Sequence, residues 1–284
     1  MKNILVPIDF SECSIFALEY ASALANIFDS NVFIFHNIAT KKPFWSSSIS
    51  EKIIFHEKQE IKSQIEAELK EVTAKYSNER ENVKSFYAEG DLIDNINEAI
   101  HTYDIDFIVM GSHGASGKKE FFIGSNTQKV VRAIDCSIFV VKNSIENFQI
   151  AKTVFASNFK PSDEEPLKYA LEFLKPFMPE IHLVEINTPS LITMPHYIEQ
   201  EVINDFKKMC AGFKCYTHFI KDYSVDSGIR NFTKQIGADL IILSNNKNNP
   251  IKHFLRGSNV EFMVNHADVP VLSIYTPKKD NSTS

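Results

Sequence analysis

Glycine is scarce in this chain, which has nine glycines and a single tryptophan among its 284 residues. Four of the nine glycines nevertheless fall within fifteen residues, positions 111–125, which read GSHGASGKKEFFIGS. Glycine lets a backbone adopt positive φ angles and approach a ligand closely. The concentration of a rare residue at one place makes this stretch the first candidate for a functional site.

An excess of one charge is also missing, since 30 lysines and arginines face 36 aspartates and glutamates, a net charge of −6. That balance excludes a global attraction to nucleic acid or to anionic lipid. No apolar run approaches the roughly 18 residues that a membrane span needs. The opening MKNILVPIDF is too short for a secretory signal and is typical of a first strand. We therefore expect a cytoplasmic protein with no nucleic-acid partner and no membrane partner.

Signatures of metal and nucleophile chemistry are absent as well. The four cysteines, Cys13, Cys136, Cys210 and Cys215, form no CxxC pair, which indicates a reduced cytoplasmic interior. Metal binding or a disulfide at Cys210 and Cys215 remains a minor alternative. The histidines show no HExxH or H-x3-H spacing, and no G-x-S-x-G elbow is present.

The chain consists of two copies of one pattern. Residues 4–21, ILVPIDFSECSIFALEYA, align with residues 153–170, TVFASNFKPSDEEPLKYA, at an offset of 149. DFIVMGSHG, which begins at Asp106, aligns with DLIILSNNK, which begins at Asp239, at an offset of 133. The second copy therefore lacks 16 residues between its second and fourth strands.

Each copy alternates apolar strands with amphipathic helices. NILVPI and NVFIFHNI are nearly continuous apolar runs, as in strands covered on both faces, and the segment between them has helical spacing with Ser11 as N-cap. This alternation predicts an α/β fold with two open, doubly wound, mostly parallel five-stranded sheets. We predict domains over residues 1–143 and 151–277 and a disordered tail over 278–284. The connector, residues 143–152, has no glycine or proline, so the halves should pack together.

The glycine-rich stretch lies where a phosphate site is expected. Ligands of open parallel sheets bind at the carboxyl ends of strands, near the point where strand order reverses, and Gly111 begins where the fourth strand ends. Gly124 and Ser125 precede an amphipathic helix, whose first N–H groups can donate hydrogen bonds to a phosphate. Lys118 and Lys119 add positive charge, although a solvated loop face is an open alternative for them. The stretch predicts a phosphate cradle.

Neither of the two commonest phosphate cradles fits this stretch. A Walker A loop needs glycine where Ser112 stands and serine or threonine where Lys119 stands. A G-x-G-x-x-G fingerprint is absent from the turn after the first strand, which reads PIDFSE. The observed spacing is glycine, two residues, glycine, nine residues and glycine-serine.

This spacing lies after a strand that ends in methionine and before a helix and a short apolar strand. In these features the chain resembles the universal stress protein family. The matching positions are Met110, Gly111, Gly114, Gly124, Ser125 and Asn126. Residues 4–21 are similar to the family's first strand and helix, with Pro7 and Asp9 at the family's positions. The resemblance covers both halves and implies a tandem protein of the adenine nucleotide alpha hydrolase-like fold, packed as an intramolecular pseudo-dimer.

The resemblance implies that the first domain binds ATP with Mg²⁺. Pro7, Ile8 and Asp9 would end the first strand, with Asp9 near the ribose or in indirect or weak contact with a phosphate-bound magnesium ion. A carboxylate at a strand end suits such a hard cation. The backbone around Asn37 and Ile38 would meet the adenine.

The remaining contacts implied by the resemblance lie after the fourth strand. Met110 and Gly111 would line the ribose and α-phosphate. The residues expected around the other phosphates are His113, Gly114, Gly124, Ser125 and Asn126. A catalytic role for His113 is not predicted, because no partner carboxylate is visible in the sequence.

The second copy departs from this pattern. Ser244 and Lys247 replace its first two glycines, and Asn158 stands where the first copy has Asp9. We therefore predict that the second site binds nucleotide weakly or not at all. A residual anion site remains open, and it would use Lys247, Lys252 and Arg256.

The resemblance implies a stress-response or signalling module with little or no rapid ATP hydrolysis. No arginine finger, general base or pair of metal-binding carboxylates is evident in the sequence. A slow ATPase and a ligand-free interaction scaffold remain as alternatives, and the protein partner is not identified.

The last strand of each copy, in residues 136–142 and 269–275, is short, apolar and a predicted sheet edge. Exposed apolar edges are hazardous unless they are paired. In the family these edges pair across a twofold axis, so here we expect them to pair within one chain. A homodimer of the whole chain is a further alternative. Residues 39–50, which hold the only tryptophan, are predicted to form a polar loop.

Overall fold

The computed structural model describes residues 1–39, 48–77, 82–112, 125–145, 147–189, 196–245 and 259–277, so the tail predicted over 278–284 lies outside the described residues. The described strands are β1 (Asn3–Ile8), β2 (Asn31–Ile38), β3 (Val83–Glu89), β4 (Phe107–Gly111), β5 (Ser137–Val141), β6 (Lys152–Ala156), β7 (Glu180–Asn187), β8 (Cys215–Lys221), β9 (Leu240–Ser244) and β10 (Val271–Ile274). The described α-helices are α1 (Glu12–Phe28), α2 (Ser48–Tyr76), α3 (Leu92–Thr102), α4 (Ser125–Ala133), α5 (Glu164–Leu174), α6 (His196–Met209), α7 (Val225–Ile236) and α8 (Asn259–His266).

All ten strands form one sheet in the order β3-β2-β1-β4-β5-β10-β9-β6-β7-β8. Pairing is parallel within each half, and β5 pairs with β10 in antiparallel fashion, with Val140 opposite Val271 and Phe139 opposite Leu272. The two predicted five-stranded sheets are thus present and join along their last strands. The predicted pairing of the terminal strands is confirmed.

The strand order reverses once in each half. In the first half the chain runs outward through β1, β2 and β3 and then returns to place β4 on the other side of β1. The same route places β9 beside β6 in the second half. Such reversal points open a crevice at the carboxyl ends of the strands.

Both faces of the sheet are covered by helices, which explains the nearly continuous apolar character of the strands. Ile4 and Val6 belong to the core on one face, and Leu5 belongs to the core on the other. The first core receives Leu24 of α1, Leu69 of α2, Leu171 of α5 and Phe206 of α6. The second core receives Ile96 of α3, Val130 of α4, Ile229 of α7 and Met263 of α8.

The backbone repeats the alignment found in the sequence. Phe10, with φ 60°, lies 149 residues before Phe159, with φ 50°. A bulky residue in this left-handed region is uncommon, so the shared conformation marks equivalent turns. The missing residues of the second copy belong largely to one helix, since α2 has 29 residues and its counterpart α6 has 14.

The predicted loop over residues 39–50 is too long at its end, because α2 already begins at Ser48, while residues 40–47 lie outside the described residues. The error arises because the serines in this segment favour a loop when only local composition is considered. The start of α1 agrees with the sequence: the Ser11 hydroxyl accepts a hydrogen bond from the backbone N–H of Ser14 at 3.4 Å.

An aromatic cluster joins the two halves. Phe173 of α5 stacks on Phe28 of α1, with ring centroids 5.6 Å apart, and on Phe107 of β4, at 5.8 Å. In the connector, Phe148 packs edge-on against Tyr20 of the first half and Phe177 of the second, at 5.4 Å in each case. The expectation that the halves pack together is confirmed.

A bidentate ion pair adds a polar link between the halves. Arg132 of α4 donates from Nε and Nη2 to the carboxylate of Glu261 in α8, at 2.9 and 2.7 Å. The Glu261 carboxylate raises the pKa of the Arg132 guanidinium, mainly through the hydrogen bonds and to a smaller extent through its negative charge. The paired geometry fixes α4 relative to α8.

Within the parts of the chain that the structure describes, no helix combines the length and the apolar character that crossing a bilayer requires.

Candidate functional site

Three neighbouring strands bring the predicted ligand residues of the first half to one edge of the sheet. Pro7 and Ile8 end β1 and are buried, and Asp9 follows them in a half-buried position. Asn37 and Ile38 end β2, which pairs with β1 on one side. On the other side, β4 ends with Met110 and Gly111, both buried. The edge therefore gathers all three strand-end groups around the reversal point between β1 and β4.

The turn after β1 holds the carboxylate of Asp9 in place. Asp9 Oδ1 accepts hydrogen bonds from the backbone N–H of Ser11, at 3.1 Å, and from its hydroxyl. Phe10 takes the left-handed conformation, and its ring stacks on His36 with centroids 4.9 Å apart. The Nδ1 atom of His36 lies 2.9 Å from the carbonyl oxygen of Ile8. The orientation of Asp9 is thus fixed by the first turn of α1.

The side chain of Asn37 is hydrogen-bonded to neighbours on the β3 side. Asn95 of α3 donates from Nδ2 to Asn37 Oδ1 at 2.7 Å, and Asn37 Nδ2 donates to the carbonyl of Gly90 at 3.3 Å. The backbone N–H of Gly90 donates to the carbonyl of Ile38 at 3.0 Å. The prediction that the main chain at the end of β2 contacts a ligand therefore depends on the remaining main-chain groups. The partner Asn95 was not predicted.

Gly111 is a point of close approach between β4 and α1. A Cβ atom at this position would lie 2.5 Å from the carbonyl oxygen of Cys13 and 2.6 Å from its carbonyl carbon. The hydroxyl of Thr127 in α4 donates to the carbonyl of Gly111 at 2.8 Å. The first turns of α1 and α4 consequently meet at Gly111. The sequence predicted this glycine as a ligand residue and missed both its packing role and Thr127.

Replacing Gly111 with alanine is expected to destabilise the protein without nucleotide by about 1–3 kcal/mol, because the new methyl overlaps backbone rather than a mobile side chain. The equivalent residue of β9 is Ser244, which already carries a Cβ, so Ser244→Ala should change stability by less than about 1 kcal/mol. Urea unfolding measures both. Unchanged stability of Gly111→Ala, with weaker nucleotide binding only, would assign the glycine to the ligand instead.

The rest of the predicted cradle is described only at its helical end. His113, Gly114 and Gly124 lie outside the described residues. Ser125 is the first residue of α4, and Asn126 follows it with an exposed side chain. The bond from Thr127 to β4 fixes the start of α4 at the carboxyl edge. Within the described residues, no group of three or more histidine, cysteine, aspartate or glutamate side chains is arranged to hold a metal ion.

The same edge of the second half is more tightly filled. Phe159 is 1% exposed, whereas its counterpart Phe10 is half-buried. The Asn37–Asn95 pair is replaced by Ile186 and Gly228, where a Cβ on Gly228 would come within 2.7 Å of the Ile186 side chain. Asn245, which follows β9, is 8% exposed.

This fold defines the class of protein as a tandem of doubly wound α/β halves that are joined into one sheet. The universal stress protein family model matches the chain twice, over residues 1–142 and 151–274. The chain belongs to the universal stress protein family, as the sequence predicted.

Individual relatives agree with this assignment. A universal stress protein of Methanocaldococcus jannaschii is 28% identical over 153 residues, which cover 50% of this chain and 94% of the relative. The universal stress protein YxiE of Bacillus subtilis is 28% identical over 147 residues, 50% of this chain and 99% of the relative. The crystal structure of a universal stress protein from Archaeoglobus fulgidus covers 95% of both chains with a TM-score of 0.74 and 22% identity, a likeness of fold.

Proposed function

We propose that this protein binds ATP in its first domain, residues 1–143, and acts as a stress-response or signalling module. The observation that carries the proposal is the meeting of two helix N-termini, those of α1 and α4, at Gly111 beside the reversal point of the strand order. The positive ends of both helix dipoles favour a phosphate chain at such a place.

The residues of this edge fit a nucleotide with its metal ion. Asp9 offers a carboxylate that Ser11 orients, and a magnesium ion there would take its other ligands from phosphate and water, as magnesium commonly does. Asn126 adds an exposed amide in the first turn of α4. The adenine would lie against the main chain at the end of β2. The cradle residues His113, Gly114, Gly124 and Ser125 complete the proposal on the strength of the family spacing.

We propose that the second domain, residues 151–277, binds nucleotide weakly or not at all. Asn158 replaces the carboxylate of Asp9, and the contact between Ile186 and Gly228 fills the space next to the strand end. The buried ring of Phe159 adds to that filling.

Rapid hydrolysis is not part of the proposal. The imidazole of His36 contacts the carbonyl of Ile8, and the carboxylate of Asp9 is turned toward Ser11, so neither is placed to activate a water molecule. A cytoplasmic location is supported by the cysteines, all four of which lie in the described residues and none of which forms a disulfide. A ligand-free scaffold is the second candidate, since the packing of Cys13 on Gly111 explains one cradle glycine without a ligand.

Calorimetric titration with ATP and magnesium tests the proposal, and one site per chain is expected. Gly124→Val should abolish binding, because its side chain would occupy the space of a phosphate. The matched control is Gly257→Val, which alters the equivalent glycine of the second copy and should leave binding unchanged. No heat with the wild-type protein, even at millimolar ATP, would favour the scaffold, and a phosphate-release assay would reveal a slow ATPase.

A further inference from the structure

Two cysteines meet at the corner between α6 and β8 in the second half. Cys210 directly follows α6, and Cys215 is the first residue of β8. Between them the chain turns back through Gly212, with φ 98°, and the N–H of Phe213 donates to the carbonyl of Cys210 at 3.0 Å. The turn brings both cysteines to the wall of one pocket, where the thiols are close enough for each to shift the pKa of the other.

The two thiols differ in their access to solvent. Cys210 is 1% exposed and belongs to the hydrophobic core, and its thiol also lies 3.7 Å from the carbonyl oxygen of Phe206. Cys215 is half-buried and lines an open pocket of about 830 Å³ together with Cys210 and Lys207. A small reagent that enters this pocket reaches Cys215 first.

The charges around the corner favour a thiolate at Cys215. The hydrogen bond from Cys210 lowers the pKa of the Cys215 thiol, burial opposes that change, and the ammonium group of Lys207 lowers it further. The same hydrogen bond and burial raise the pKa of the Cys210 thiol. A thiolate is the reactive form of cysteine, and a positive neighbour stabilises it.

We propose that Cys210 and Cys215 form a dithiol that a hydroperoxide oxidises to an intramolecular disulfide, with Cys215 as the attacking thiolate and Cys210 as the resolving thiol. The Cys215 sulfur attacks one peroxide oxygen, the O–O bond breaks, and the leaving oxygen departs as water or alcohol after taking a proton. Cys215 is then a sulfenic acid.

Resolution completes the two-electron oxidation. The Cys210 sulfur attacks the Cys215 sulfur, the S–S bond forms and the S–O bond breaks. The hydroxide leaves as water with the proton of Cys210, so one peroxide is reduced for each dithiol oxidised. The product ties the end of α6 to the start of β8. In the first copy this corner carries Ser77 and Val83, so the chemistry belongs to the second half alone.

The other two cysteines serve as internal references. Burial, with a smaller contribution from the negative charge of Asp106, raises the pKa of Cys136 to about 12, so this thiol stays protonated and slow to react. Cys13 is half-buried, and its thiol lies 3.8 Å from the carbonyl oxygen of Lys142. The expected alkylation rate of Cys215 near neutral pH is at least about tenfold that of Cys13.

The first test is mass spectrometry of the full chain after brief exposure to hydrogen peroxide and alkylation of the remaining thiols. Trypsin separates MCAGFK from CYTHFIK, so the expected disulfide links two peptides whose joint mass is two hydrogens below their sum. Dithiothreitol should release them. Cys13→Ser should give the same product, whereas Cys210→Ser and Cys215→Ser should not.

The second test assigns the roles of the two sulfurs with dimedone, which traps sulfenic acids. Cys210→Ser should accumulate the adduct at Cys215, and Cys215→Ser should give none at Cys210. Lys207→Gln should slow adduct formation about two- to threefold. Adduct at Cys210, labelling of Cys13 at an equal rate, or a disulfide between two chains in place of the internal one would each overturn the proposal.

Discussion

Replacing Phe173 with alanine is expected to lower the free energy of unfolding by about 3–5 kcal/mol, the usual loss for a large aromatic side chain in a core. Phe173 is 8% exposed and belongs to the second half, yet it packs on Phe28, Phe107 and Phe139 of the first half, with ring centroids 5.6, 5.8 and 6.2 Å away. It also contacts Phe177 at 5.8 Å. The cavity would therefore open between the two halves, and urea unfolding should change from one transition to two.

A control for this substitution lies on the same helix. Tyr169 of α5 is 51% exposed, so Tyr169→Ala should change the free energy of unfolding by no more than about 0.5 kcal/mol and keep a single transition. Circular dichroism and intrinsic fluorescence, followed in the same titration, separate loss of helix from loss of packing. If Phe173→Ala and Tyr169→Ala had equal effects, the aromatic cluster would not join the halves.

A charge on the antiparallel pair of strands is expected to have a still larger effect. Val140 of β5 and Leu272 of β10 are 3% and 1% exposed and lie on the two strands that join the half-sheets. Aspartate at either position would bury a carboxylate among apolar side chains, which costs several kcal/mol even after the group is protonated. Val140→Asp and Leu272→Asp should each lower the free energy of unfolding by more than about 4 kcal/mol.

Limited proteolysis and urea unfolding check this expectation together. Opening of the strand pair should expose the connector, residues 143–152, so cleavage there should be faster in both aspartate variants. Leu272→Met keeps the volume and the apolar character, and it should cost less than about 1.5 kcal/mol without faster cleavage. Wild-type stability and protease resistance in Leu272→Asp would show that β5 and β10 are not what holds the halves together.

Much of the fold could be predicted from the sequence because its signals are local. Continuous apolar runs such as that of β1 identify strands covered on both faces, and the two offsets identify the repeat. The terminal strands were predicted to pair because an exposed apolar edge is unstable. The start of α2 at Ser48 was missed, since three serines in a row favour a loop.

The candidate site could be predicted only as far as strand ends determine it. Asp9 and Asn37 lie at one edge because parallel strands end together. Asn95 contacts Asn37, which is 58 positions away, and Thr127 contacts Gly111, which is 16 positions away. No local sequence pattern predicts these two contacts. The steric role of Gly111 likewise depends on where α1 crosses β4, which is a property of the folded chain.

The antiparallel join between β5 and β10 gives each rim of the sheet, meaning each side on which strands begin or end, the strand ends of one half and the strand starts of the other. Strands of the first half end on the rim where strands of the second half begin, so the end of β1 and the start of β8 at Cys215 share one rim. Seven strand spacings separate them, roughly 30 Å. A protein that docks along this rim would touch both the proposed nucleotide crevice and the proposed oxidisable corner, whereas one on the opposite rim would meet neither.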